Sequence, residues 1–156
     1  MEFRRANRAD IDMFLENRIE FVSSIRDIPD LEAFRQRTRQ YLVEHIDEDD
    51  LIIFIATEEN RIVSSCLACI HQTVPLASCL SGKSAELLNV YTIKEYRNNG
   101  YAEKLIRMLF EETKNCGVEK ILLDYTDMGY PLYKKLGFKE LERHMELSLL
   151  AFYYYY

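Results

Sequence analysis

The chain has 156 residues, a length that fits one domain with a sizeable buried core. Hydrophobic residues make up 48% and charged residues 29%, and the net charge of −6 argues against a nucleic-acid partner, which needs a basic face. No apolar run approaches a membrane span, and Met1-Glu2-Phe3-Arg4-Arg5 lacks the apolar core of a signal peptide. A cytoplasmic protein with no membrane partner is therefore expected.

The elements follow in chain order. A short opening strand around Phe3 leads to Asp10, placed to cap a helix. Ile11, Phe14, Leu15, Arg18, Ile19 and Val22 then recur at helical spacing, and Leu31, Phe34, Thr38, Tyr41, Leu42 and His45 repeat the pattern after Pro29-Asp30. An acidic turn at 47–50 precedes a near-continuous apolar run at 51–57, read as a buried strand. The turn 58–61 and a second strand at 62–71 complete a hairpin. A loop at 72–83 contains Pro75 and Gly82, and a third strand covers 84–93. Gly100 opens a strong helix bearing Ala102, Leu105, Ile106, Leu109 and Phe110 on one face, and Gly117 stops it. A buried strand at 121–125, a short helix at 131–136 capped by Gly137, and a last strand at 138–149 finish the pattern. Along that last strand Met145, Leu147 and Leu149 alternate inward. The tail Phe152-Tyr153-Tyr154-Tyr155-Tyr156 could extend it, pack on the second copy of a homodimer, or fray.

The order β-α-α-β-β-β-α-β-α-β predicts an α+β fold: a mixed, mostly antiparallel central sheet with helices on both faces, in a single domain spanning 1–156. Cys66 and Cys69 have the spacing of a metal or redox pair. They lie within an apolar strand where residues three apart face opposite ways, so both read as core thiols, and no metal is expected.

The segment 89–102 carries the most information. A strand runs into a turn, and the turn feeds a helix N-terminus whose first amides lack intrahelical partners and whose dipole favours an anion. Gly100 lets the backbone approach a ligand, small Ala102 keeps the first turn open, and Lys94, Arg97 and Lys104 supply charge nearby. There is no Walker A sequence and no G-x-G-x-x-G dinucleotide fingerprint.

At these residues the chain resembles the GNAT family of N-acetyltransferases. Arg97-x-x-Gly100-x-Ala102 matches that family's pyrophosphate loop, Arg/Gln-x-x-Gly-x-Gly/Ala, and the element order matches the family's acyl-CoA N-acyltransferase fold along almost the whole chain. The resemblance implies acetyl-CoA as co-substrate. Its pyrophosphate would lie on the amides of Arg97, Asn98, Asn99, Gly100, Tyr101 and Ala102. Its pantetheine arm would pair along Val90, Tyr91 and Thr92 on a bulged, splayed strand. An amide near Tyr91 would serve the oxyanion.

A second signature, Tyr133-x-x-x-Gly137-Phe138, resembles the family element whose tyrosine protonates the departing thiolate. A phenol with a pKa near 10 can do so because the thiolate is basic. Many relatives carry an asparagine and then an alanine before this helix. Here Thr126 and Gly129 occupy those positions, so Thr126 would keep at most one hydrogen bond to the coenzyme.

The amine must lose a proton before it attacks. Glu86 precedes Arg97 by eleven residues, the spacing of the general base in the histone-acetylating branch of the family. His71, His144 and Asp124 are alternative bases. The reading is an N-acetyltransferase moving acetyl from acetyl-CoA to a primary amine, of a small molecule or a peptide, by direct attack in a ternary complex. The rival is a non-catalytic acyl-CoA-binding sensor or interaction module, which would keep the loop but have no need of Tyr133 or Glu86. The first two helices and the 72–83 loop are expected to wall the acceptor site.

Overall fold

Residues 51–56, Leu-Ile-Ile-Phe-Ile-Ala, are apolar at every position, which requires cover on both faces of the strand they form. The computed structural model describes residues 1–141 and 145–149. Their elements are β1 (Glu2–Arg5), α1 (Ile11–Ile25), α2 (Leu31–His45), β2 (Leu51–Glu58), β3 (Arg61–Gln72), β4 (Lys83–Thr92), α3 (Tyr101–Asn115), β5 (Lys120–Leu122) and α4 (Tyr130–Lys135). Short 3-10 turns at Arg8–Asp10 and Lys94–Tyr96 come before α1 and α3. The chain divides into two units, Met1–Asp124 and a second beginning at Tyr125.

In the first unit the strands lie in the order β1-β2-β3-β4-β5. The first four are antiparallel, and β5 runs parallel to β4. The β2–β3 hairpin turns on Glu59 and Asn60, whose φ values of 48° and 64° give the primed turn that matches strand twist. Leu51, Ile53, Ile55 and Leu67 pack against Phe14, Leu15 and Ile19 of α1 and Leu42 of α2. The alternate residues Ile52, Phe54 and Ala56 are equally buried, and α3 covers that face with Leu105, Ile106 and Leu109. The mixed sheet between two helical layers is the predicted fold.

The helix starts differ in how they are capped. Asp30 accepts the amide of Ala33 at 2.9 Å and caps α2 as its side-chain chemistry favours. Asp10 stands at the N-cap position of α1 but makes no cap bond there. Its carboxylate instead takes a two-pronged bond from Arg4, both contacts 2.7 Å, and the amide of Asn7 at 2.9 Å. The Arg4 guanidinium holds the Asp10 carboxyl below the usual carboxylate range.

Two expected strands differ from the structure. The one predicted at 121–125 is only β5, Lys120–Leu122, and its residues are half-buried. Asp124 and Tyr125 are exposed. The described residues of the last predicted strand, 138–141 and 145–149, are not in a strand, and Met145, Leu147 and Leu149 are exposed rather than inward-facing. Alternation confers strand propensity, but a strand persists only where its backbone finds a partner. His144 and the aromatic tail at 152–156 lie outside the described residues.

Candidate active site

The site begins with a defect in β4. Leu88 pairs with Leu67, but the next paired residues are Tyr91 and Ser65, so three steps along β4 oppose two along β3. The surplus is taken up at Asn89, with φ of 53°, a left-handed conformation that asparagine tolerates better than other side chains. Buried polar groups hold the bulge. Asn89 Nδ2 donates to Ser65 Oγ at 3.0 Å, Ser65 Oγ donates to Asn17 Oδ1 of α1 at 2.6 Å, and Arg18 donates to Asn89 Oδ1 at 3.2 Å. Sequence reasoning missed this cluster. Its signal was an asparagine in the apolar run Leu87-Leu88-Asn89-Val90.

The bulge opens one edge of β4. Pairing with β5 ends at Glu86↔Leu122, so Leu87 to Thr92 have no strand partner on that side among the described residues. Val90, Tyr91 and Thr92 therefore present backbone groups to whatever enters. On the other side Ser64 Oγ donates to the Tyr91 carbonyl at 3.1 Å and pairs with Thr92 Oγ1 at 2.8 Å, fixing the strand end. The Tyr91 side chain reaches α1, donating to Glu20 at 2.8 Å and lying 5.4 Å from the Phe21 ring. Burial, then the bond to Glu20, pushes its phenol up to about 12.

Beyond β4 lies the loop expected to cradle an anion. Arg97 Nε donates to the Thr92 carbonyl at 3.0 Å, and Asn99 Nδ2 bonds the carbonyls of Tyr96 and Arg97 at 3.0 and 3.1 Å. Asn98 and Gly100 take φ values of 63° and 75°. These turns aim the amides outward. Among the described residues, the N–H groups of Asn98, Asn99, Gly100, Tyr101 and Ala102 have no protein acceptor. A methyl group on Gly100 would meet nothing within 4 Å, so the space before the amides is open. Unpartnered donors, open space and the dipole of the 15-residue α3 suit a pyrophosphate. Lys94 and Arg97 are exposed beside it. The Lys104 ammonium, on the first turn of α3, sits 3.7 Å from the centre of the Phe3 ring.

Glu86 lies upstream of the bulge. It pairs with Cys69 of β3 and, like its neighbour Leu88, belongs to the sheet face that packs α1 and α2. Its half-buried carboxylate makes no hydrogen bond or ion pair among the described residues. Beside it, Tyr41 of α2 donates to Cys69 Sγ at 3.6 Å, and burial pushes the Cys69 thiol up. Cys66 is fully buried, its thiol also raised by burial. All four cysteines are free, and among the described residues no group of three or more His, Cys, Asp or Glu side chains could hold a metal. His71 is exposed near the end of β3, and Asp124 is exposed beyond β5.

The second unit contains Thr126, Gly129 and Tyr133. Proline 131 at the start of α4 suits a position where the missing N–H costs nothing. At the other end Gly137 has φ of 95°, Phe138 N–H donates to the Tyr133 carbonyl at 3.0 Å, and Gly137 N–H donates to Lys134 at 3.1 Å. This is a Schellman motif, and its usual apolar clasp is the edge-on contact of Phe138 with the Tyr133 ring at 5.8 Å. The Tyr-x-x-x-Gly-Phe spacing thus has a physical basis: the glycine ends the helix, and the phenylalanine steadies the tyrosine. Thr126 accepts the amide of Gly129 on its hydroxyl at 3.3 Å and on its carbonyl at 2.9 Å.

At Gly129, the position where many relatives carry alanine by the resemblance, the Tyr133 ring fills the space a Cβ would take. A Cβ there would lie 2.8 Å from Tyr133 Cε2. Gly129→Ala is therefore expected to displace the buried ring and lower kcat by about tenfold or more if that ring acts in chemistry. Steady-state kinetics beside a melting curve would show it: overpacking should cost about 1–3 kcal/mol of stability, and kcat of the folded enzyme should fall as well.

These features define an acyl-CoA-binding acyltransferase fold. The model of the Acetyltransferase (GNAT) family matches residues 19–138. The chain belongs to that family. It is 41% identical over 54 residues to a glucosamine 6-phosphate N-acetyltransferase of Trypanosoma brucei brucei, a match covering 35% of this chain and 37% of that protein. It is 28% identical over 108 residues to an N-alpha-acetyltransferase of Saccharolobus solfataricus, covering 65% of each. The chain thus matches less than two thirds of the length of either curated relative. A crystal structure described as a predicted acetyltransferase with acetyl-CoA, from Clostridium acetobutylicum, superposes with a TM-score of 0.89 at 26% identity, over 96% of this chain and 97% of that one. No helix among the described residues is long and apolar enough to cross a membrane.

Proposed function

We propose that the protein acetylates a small primary amine by direct attack on acetyl-CoA, as one cytoplasmic domain. The observation that carries this reading is the β4 edge at 87–92, which has no strand partner on one side among the described residues, followed by the unpartnered N–H groups of residues 98–102. It provides a track for an extended acyl-pantetheine arm and a seat for its pyrophosphate, with an amide near Tyr91 for the oxyanion. A small acceptor is supported by the glucosamine 6-phosphate enzyme among the similar proteins.

In this mechanism acetyl-CoA lies along Val90, Tyr91 and Thr92. Glu86, whose carboxylate has no protein partner among the described residues, takes the proton of the ammonium group directly or through water. The freed amine attacks the thioester carbonyl, the tetrahedral oxyanion rests on backbone N–H, and the C–S bond breaks. Tyr133 gives its proton to the sulfur, and Thr126 holds the pantetheine arm through one hydrogen bond.

The test is release of coenzyme thiol from acetyl-CoA in the presence of small amines. Glu86→Gln keeps the shape and removes the base, so kcat should fall by about 10²-fold or more while calorimetric affinity for coenzyme A stays unchanged. An undiminished rate would move the base elsewhere. Binding of acetyl-CoA without amine-dependent thiol release from any amine would instead favour a sensor.

A further inference from the structure

The arginines of the first unit mostly close on carboxylates. Arg4, Arg5, Arg8, Arg35 and Arg39 each have an Asp or Glu oxygen within 4.0 Å, and Arg26 and Arg37 are exposed to water. Arg18 differs. It is half-buried between α1, α2 and the sheet, and no carboxylate among the described residues lies within 4.0 Å of it. Its guanidinium donates once, to Asn89 Oδ1 at 3.2 Å, and stands 5.7 Å from the centre of the Phe34 ring. Burial lowers its pKa, the Cys69 thiol opposing this. An arginine does not lose its proton under such pressure, so it holds a poorly solvated charge with donors to spare.

Its position gives that charge a use. Arg18 and Glu86 both bear electrostatically on the Cys69 thiol, one from α1 and the other from β4. Arg18 also touches the residue that makes the bulge. A cation, an unpartnered carboxylate and the splayed strand therefore converge on one side of the sheet, beneath α1 and α2.

We infer that Arg18 is a specificity-determining residue that binds an anionic group, carboxylate or phosphate, on the acceptor amine. The planar fork suits either oxyanion. Glu86 would then attract and deprotonate the ammonium end, so the acceptor carries both charges and its polarity sets its direction in the cleft. This inference rests on the acetyltransferase reading for the reaction but not for the binding.

Two matched pairs test it on the full chain: glucosamine 6-phosphate against glucosamine, and an α-amino acid against its amide. Each is titrated calorimetrically into the coenzyme A complex and assayed with acetyl-CoA. The anionic member of at least one pair should bind about 10- to 100-fold more tightly than its neutral counterpart. The pair that shows it identifies phosphate or carboxylate. Arg18→Gln should abolish the preference by raising KM for the anionic amine far more than for the neutral one, while any loss of coenzyme affinity or Tm from the missing Asn89 contact falls on both members equally. Arg18→Lys should restore part of it. Equal losses for both members would make Arg18 a brace for Asn89 and overturn the inference, as would failure of both anionic amines to bind. Arg18-dependent binding without turnover would sustain the anion site while rejecting acetyl transfer.

Discussion

Tyr133→Phe is expected to lower turnover by about 10²–10⁴-fold, the range for a positioned proton donor. The substitution keeps the ring, its edge contact with Phe138 and its fit against Gly129, and it removes only the hydroxyl. The backbone bond from Phe138 N–H to the Tyr133 carbonyl does not involve the side chain, so the helix end should survive. Melting temperature should move little, and coenzyme affinity should weaken by the worth of one hydrogen bond, roughly 0.5–1.5 kcal/mol. The defect should shrink with an acyl donor whose thiolate is a better leaving group, because that group needs less help. A rate equal to the wild type on a verified acceptor would show that water protonates the sulfur and that Tyr133 only packs. A fall in stability without a fall in rate would say the same.

The second large effect is expected at Gly100. Gly100→Glu places a carboxylate in the open space before the amides of residues 98–102, where an anion should bind. Repulsion and obstruction together should weaken coenzyme A by roughly 100-fold or more. The φ of 75° adds a separate effect, since any side chain there costs about 1–2 kcal/mol in the left-handed region. Gly100→Ala isolates that cost, because its methyl group meets nothing within 4 Å. Calorimetry on both folded variants separates the two causes. The alanine variant should bind coenzyme A nearly as well as the parent but melt earlier. The glutamate variant should melt similarly and bind poorly. Normal coenzyme affinity in the glutamate variant would remove the pyrophosphate from this loop.

The local parts were legible in the order of residues. The period of Leu105, Ile106 and Leu109 specified the amphipathic α3, and the unbroken apolar run at 51–56 specified a strand covered on both faces. Gly100 and Gly137 marked backbone turns with positive φ, and both structural φ values are positive, because steric limits act within a single residue. The cradle at 97–102 and the tyrosine element at 133–138 were legible for the same reason: each is a short contiguous stretch whose geometry depends mainly on itself.

Features that depend on distant partners emerged only with packing. Asn89 becomes a bulge only because Ser65 and Asn17, distant in sequence, satisfy its side chain. Lys104 comes to lie over the Phe3 ring, a contact set by the packing of β1 beside α3 and invisible in the local sequence. Strand β5 stops at Leu122 because pairing with β4 stops there, although the apolar pattern continues to Leu123. Arg18 read as one polar residue on an amphipathic helix. Its half-burial without a counter-ion arises only when α2 and β4 close around it, since desolvation is a property of the packed environment and not of the residue.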